Sequence, residues 1–203
     1  MKRVCVFCGS SPGNNPVYIK TARKLANAII NKNYGVVYGG GAIGLMGVIA
    51  KTISDANGEI IGVIPKNLLD RDVAYTKLED LRIVDTMHER KEMMHNLSDG
   101  FIALPGGFGT FEEIFEAITW AQLGLHKKPC GILNINHYFD RLVDFLNVAV
   151  EQGFIHNKCM DLILVDNDPQ ALLNKMDSYT APSIDKALHA LKLNNSMDNN
   201  NEI

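Results

Sequence analysis

An α/β fold, a doubly wound and mostly parallel sheet of about seven strands with helices on both faces, is what three features of this sequence predict. Short apolar, β-branched runs alternate with longer helical patterns, as parallel strands buried under helices require. Two glycine-rich stretches, "VYGGGAIGLMG" and "LPGGFGTFEE", each stand between a strand-like run and a helical one. Two Thr-x-x-Glu boxes, at Thr86 and Thr110, start helices just after strands. Together they describe a single Rossmann-like domain over residues 1–193, followed by an Asn-rich tail, 194–203, expected to be disordered.

The strands in order are "RVCVFC" (3–8), "GVVYG" (35–39), "IIGVI" (60–64), "LRIVD" (81–85), "FIALP" (101–105), "CGILNI" (130–135) and "LILVD" (162–166). The first helix has Asn15 as N-cap and Pro16 at its first position, carries Ala22, Leu25, Ala26, Ile29 and Ile30 at core spacing, and ends near Asn33. Thr86 with Glu89 caps a helix through about Leu97, and Thr110 with Glu113 caps one through about Leu123. Residues 66–80 lack a clean period and form a long excursion near the carboxyl ends of the strands, where function concentrates.

The 203 residues are 46% hydrophobic and 21% charged, ordinary for a globular domain with a substantial core. A net charge of -3 gives no sequence-independent pull toward nucleic acid or an anionic membrane, so an anionic ligand has to be held locally. No apolar run approaches the roughly 20 residues that span a bilayer, and "MKRVCVFCGS" does not read as a signal peptide, so a cytoplasmic protein is expected. Cys5, Cys8, Cys130 and Cys159 lie in or beside apolar segments, which suits buried, reduced thiols.

Gly39, Gly41 and Gly44 satisfy G-x-G-x-x-G between a strand and a helix, where glycines let the backbone approach a ligand and the helix dipole attracts an anion. A dinucleotide site also needs an acidic residue at the end of the next strand. Pro65 and Lys66 stand there instead, and Glu59 is at the wrong end. The same glycines are also explained by close helix-sheet packing.

In the second loop Gly106, Gly107 and Gly109 form a bare-backbone cup whose N–H groups, with the Thr110 hydroxyl and the helix N-terminus, converge on one point, as a phosphate requires. No Lys follows the last glycine, so it is not a Walker loop. Two anion-suited loops at the carboxyl edge of one sheet point to a phosphorylated small molecule.

Glu112 and Glu113 stand about 100° apart on the helix, so one at most faces the cup, and a cap explains Glu113 without any chemistry. Arg90 and Lys91 lie in the first turn of their helix, where cations oppose the dipole; Arg90 either clamps a phosphate or pairs with Glu89 or Glu92 in solvent. Cys5 and Cys8 point to opposite strand faces, no H-E-x-x-H or G-x-S-x-G occurs, and neither a metal site nor a serine nucleophile is supported.

"LPGGFGTFEE" resembles the PGGxGTxxE signature of the LONELY GUY (LOG) family, the cytokinin riboside 5'-monophosphate phosphoribohydrolases often mislabelled lysine decarboxylases. "VFCGSSPGNNP", "YGGGAIGLMG", "DTMHERKEMM" and "ITWAQLGLHKKPCGILN" resemble family blocks in the family's order, and the likeness covers about residues 2–166. It implies hydrolysis of the N-glycosidic bond of an adenine-type nucleoside 5'-monophosphate to free base and ribose 5-phosphate, without a cofactor, by a homodimer.

The resemblance assigns catalysis to Arg90 and Glu113 and substrate contacts to Lys91, to Gly107, Phe108, Gly109, Thr110, Phe111 and Glu112, and to Thr119. Asp72 takes a position usually held by glutamate, with a shorter side chain. Gly106 joins the phosphate cup, and Ser10 with Gly40, Gly41 and Gly44 forms the opposite wall. Molybdenum cofactor carriers have related folds and similar loops, so a non-catalytic binding protein is the competing expectation. Arg90 together with Glu113 favours the enzyme.

Overall fold

A computed structural model describes residues 1–69 and 74–184. The strands β1 (Arg3–Phe7), β2 (Gly35–Tyr38), β3 (Ile60–Pro65), β4 (Asp80–Val84), β5 (Gly100–Ala103), β6 (Cys130–Leu133) and β7 (Ile163–Asp166) form one sheet in the order β4-β3-β2-β1-β5-β6-β7. Every neighbouring pair is parallel, so the sheet is wholly parallel, and the seven runs read from the sequence are its strands with ends displaced by a residue or two.

The connections carry α1 (Pro16–Asn31), α2 (Gly44–Asp55), α3 (Lys66–Leu69), α4 (Met87–Leu97), α5 (Phe108–Gln122), α6 (Asp140–Glu151) and α7 (Pro169–Asp177). Alternation along β1 divides the core. Val4, Val6 and Cys8 pack with α1, α2 and α7 on one face, while Cys5 and Phe7 pack with α4 and α5 on the other. Cys5 and Cys8 therefore face apart, and all four cysteines are buried and outside any disulfide. β1, β2, β3, β5 and β6 are buried almost throughout, whereas the edge strands β4 and β7 are only partly covered.

The chain winds outward from β1 to β4, and α4 then returns it to β5 on the opposite side of β1. This reversal opens the crevice at the carboxyl ends of β1 and β5 where doubly wound sheets take ligands. The Gly9 amide donates to the Pro105 carbonyl (3.1 Å) across it.

Asn15 accepts from the Val17 amide (3.0 Å) and starts α1 at Pro16, as the sequence predicts; the helix stops at Asn31, and Asn33 turns the chain at φ 56°. Thr86 caps α4 by accepting from the Glu89 amide (3.1 Å), and the Glu89 carboxylate reaches back to the Asp85 amide (2.9 Å). The box expected at Thr110 is not a cap. Gly107 occupies the N-cap of α5, which begins at Phe108, and Thr110 sits inside its first turn. Gly serves nearly as well as Ser or Thr at that position, and it lets the helix start three residues early.

Ala74 forms an antiparallel bridge with Gly41 and the Tyr75 amide donates to the Gly40 carbonyl (2.8 Å), bringing the excursion after α3 back to the first glycine loop. Asp72 and the expected tail, 194–203, lie outside the described residues. Among the described residues no helix is long and apolar enough to cross a membrane.

Candidate active site

The carboxyl ends of β2 and β5 present the two glycine loops, and α4 and α5 lie side by side over the same edge. Gly107, Phe108, Gly109 and Thr110 are the N-cap and first turn of α5, where the helix leaves backbone N–H groups without partners and concentrates positive partial charge. Nothing lies within 4 Å of where a side chain would stand on Gly107 or Gly109, so both backbones are open to a ligand. Gly106 differs. A side chain there would stand 2.1 Å from the Thr110 hydroxyl, so this glycine is required by packing, and its carbonyl accepts from the Tyr138 hydroxyl. Thr110 is 4% exposed, with its hydroxyl over Gly106.

The first loop is largely committed to packing. A side chain on Gly44 would strike the Ser10 backbone at 2.2 Å, and the Leu45 amide donates to the Gly9 carbonyl (3.0 Å), locking the start of α2 onto the loop after β1. Gly40, at φ +74°, and Gly41 hold the returning excursion. Gly39 does something else: a side chain there would stand 2.2 Å from Arg90 Nη2. The strand end is bare so that the guanidinium can lie across it.

Arg90 donates through Nη1 to Glu113 Oε1 (2.7 Å) and through Nε to the Val63 carbonyl (3.1 Å), and both charged side chains are 12% exposed. The pair thus ties α4 to α5 and to the ends of β2 and β3. Glu113 is therefore not a helix cap, and Arg90 is not a solvated partner of Glu89 or Glu92. Burial pushes the Glu113 carboxyl above its ordinary value; the charge of Arg90 and its hydrogen bond pull against this, and Glu112 adds to the rise. Desolvation outweighs the cation beside it.

Lys91 bridges Glu112 and Glu116, the latter at 2.9 Å. Burial opposes its charge, but the two carboxylates prevail and its ammonium is held above the usual range. Phe111 packs inward against Phe139 (6.3 Å between ring centroids), whereas Phe108 is 92% exposed. Thr119 is exposed, nine residues and so about 14 Å along α5 from Thr110, and is not brought to the cup of its own chain.

Ser10 lies exposed on the far side of the cup, in a cleft of about 340 Å³ lined also by Tyr18, Leu45, Gly106, Gly107 and Tyr138. Tyr138, Val63 and Glu116 were not singled out by the sequence. Glu116 could have been, being four residues from Glu112, but Tyr138 stands 32 residues from Gly106 and has no local signal.

A family model described as "Possible lysine decarboxylase" matches residues 46–176. Cytokinin riboside 5'-monophosphate phosphoribohydrolase LOG2 of Arabidopsis thaliana is 41% identical over 197 residues, 97% of this chain and 92% of its own. The chain belongs to the LOG family. LOG1 of the same plant, which bears the same enzyme name, is 45% identical over 88% of this chain and 84% of its own. Among solved structures, the molybdenum cofactor binding protein of the phototrophic bacterium Rippkaea orientalis aligns with a TM-score of 0.66 at 20% identity, covering 88% of this chain and 97% of that one. That likeness speaks for the Rossmann-like fold alone, while the curated LOG relatives speak for the family and its enzymes.

Proposed function

We propose that this LOG-family chain hydrolyses the N-glycosidic bond of a cytokinin riboside 5'-monophosphate or related adenine nucleotide, giving free base and ribose 5-phosphate. The observation that carries the reading is the buried Arg90–Glu113 pair one helical turn beyond an open helix N-terminus on the same α5. The amides of Gly107, Phe108, Gly109 and Thr110 hold the 5'-phosphate, and this remote binding energy sets the ribose beside Glu113. As the bond to the base breaks, its electron pair leaves with the base, which takes a proton from solvent water, and positive charge builds on the ribose ring; the Glu113 carboxylate stabilises that charge, draws a proton from the attacking water and returns it to solvent. A carboxyl raised by burial is the stronger base for that step. Arg90 fixes the rotamer of Glu113 and, once substrate enters, turns a donor to the ribose. Lys91, Glu112 and Asp72 serve as further contacts, with Ser10 and the first glycine loop as the opposite wall.

The chain works as a homodimer in this reading. Phe108, Thr119 and Leu123 are exposed along α5, Phe108 and Leu123 at 92% and 54%, with the half-buried Phe115 between Phe108 and Thr119. A copy docked there brings its Thr119 toward the nucleotide of its neighbour. A monomer by sedimentation at assay concentration refutes this. Four buried cysteines outside any disulfide suit a reducing cytoplasm.

The decisive assay incubates the protein with adenosine monophosphate, with an N6-prenylated monophosphate and with the corresponding nucleosides, and follows free base by chromatography. Base is expected from a monophosphate and little from a nucleoside. Glu113→Gln is expected to keep nucleotide binding and lose most turnover. Binding without release from any monophosphate returns the protein to the carrier reading.

A further inference from the structure

Beyond the residues that the family signature supplies, the geometry points to Tyr138 as a positioning residue that aims the first amide of the phosphate cup. This rests on the proposed function, since it concerns the same anion site. Tyr138 is the last residue of a turn built under strain: Asn136 and His137 stand in succession at φ 52° and 60°, a conformation that side-chain-bearing residues seldom adopt even once. The turn is pinned from several sides. Asn134 donates to Asp140 Oδ1 (2.6 Å) and accepts from the Phe139 amide (2.8 Å), His137 Nδ1 contacts Asp140 Oδ2 (3.0 Å), and Phe139 is buried at 1% exposure.

The product of this construction is the placement of one ring. Tyr138 meets Tyr18 edge to face at 6.1 Å and Phe139 at 4.9 Å, and its hydroxyl donates to the Gly106 carbonyl. Tyr138 is 40% exposed on the cleft beside the cup, so burial does not explain the strain.

The carbonyl of Gly106 and the amide of Gly107 belong to one peptide plane, and no peptide in the described residues is cis. In a trans peptide the two groups point in opposite directions. Holding the carbonyl on Tyr138 therefore holds the Gly107 N–H away from it, as a donor at the N-cap of α5. Gly107 has no side chain, and nothing within 4 Å of its Cβ position, to restrain the plane otherwise. A reversed plane would present a carbonyl oxygen to the phosphate in place of a donor. Tyr138 prevents this without touching the anion.

The test is Tyr138→Phe, which keeps the ring and both edge contacts and removes only the hydroxyl. Losing one oriented donor is expected to raise KM for the nucleoside monophosphate about fivefold, with kcat little changed and with unphosphorylated nucleoside turned over as by the wild type. Calorimetric titration with ribose 5-phosphate should show the same fivefold loss independently of turnover. Asp140→Ala, which unpins the turn at a residue that does not line the cleft, should move both readouts in the same direction. Unchanged ribose 5-phosphate affinity in Tyr138→Phe, or an equal loss toward nucleoside and nucleotide, overturns the inference. If the wild type binds ribose 5-phosphate yet releases no base, the proposed reaction fails while the titration still decides the role of Tyr138. If the wild type binds no ribose 5-phosphate, both are refuted.

Discussion

Gly39→Ala separates the placement of Arg90 from the stability of the fold. The added methyl would stand 2.2 Å from Arg90 Nη2, where ordinary contact needs about 3.5 Å, so the guanidinium must retreat by more than about 1 Å. Its bonds to Glu113 (2.7 Å) and to the Val63 carbonyl (3.1 Å) cannot both survive such a movement. The clash falls on the far end of a flexible side chain rather than on backbone, with Met46 Sδ next at 3.4 Å, so folding should lose little more than the bonds themselves. A charge-assisted bond is worth about 1.5–3 kcal/mol, and a displacement of that size in a catalytic group costs roughly 100-fold. The expected result is a fall in kcat/KM for the monophosphate of about 100-fold, with far-ultraviolet circular dichroism unchanged and Tm lowered by a few degrees. Wild-type kcat/KM in a folded Gly39→Ala protein would show that the position of Arg90 is immaterial to the reaction.

Two further outcomes are expected. If Glu113 acts as the proposed base it must be ionised, and burial raises its carboxyl, so activity should fail as pH drops through a value above the ordinary glutamate value, and Arg90→Gln should move that limb higher still. The sign for stability is reversed: a carboxyl raised in the folded state favours folding while protonated, and that contribution is lost as pH rises through the folded value. A kcat/KM profile whose acid limb sits at the ordinary carboxylate value contradicts the assignment. Gly109→Ala meets nothing within 4 Å and gains helix propensity in the first turn of α5, so Tm should hold or rise while KM for the monophosphate increases; unchanged KM would mean that no ligand approaches there.

Strands and most helix starts were legible because their causes are local. β-Branched apolar runs bounded by Gly and Pro become strands wherever both faces are covered, and Asn15–Pro16 and Thr86–Glu89 act within one turn of themselves. Thr110–Glu113 carries the same local signal and is not a cap, because Gly107 starts the helix earlier and Arg90, on another helix, claims the carboxylate. Local propensity proposed a cap; a buried cation 23 residues away decided otherwise.

By itself the sequence determined the sheet, the two glycine loops at one edge, the helix N-terminus that suits a phosphate, and a signature that leads to Arg90 and Glu113. Only the tertiary structure divided the glycines by purpose: Gly44 for the Ser10 backbone, Gly106 for Thr110, Gly39 for Arg90, and Gly107 and Gly109 for open space. It also brought Tyr138 to Gly106 and let burial lift Glu113 above its ordinary range despite its cation. The reason is physical. A glycine looks the same whether a partner's backbone, a guanidinium or a ligand fills the space beside it, and desolvation depends on everything packed around a group rather than on its neighbours along the chain.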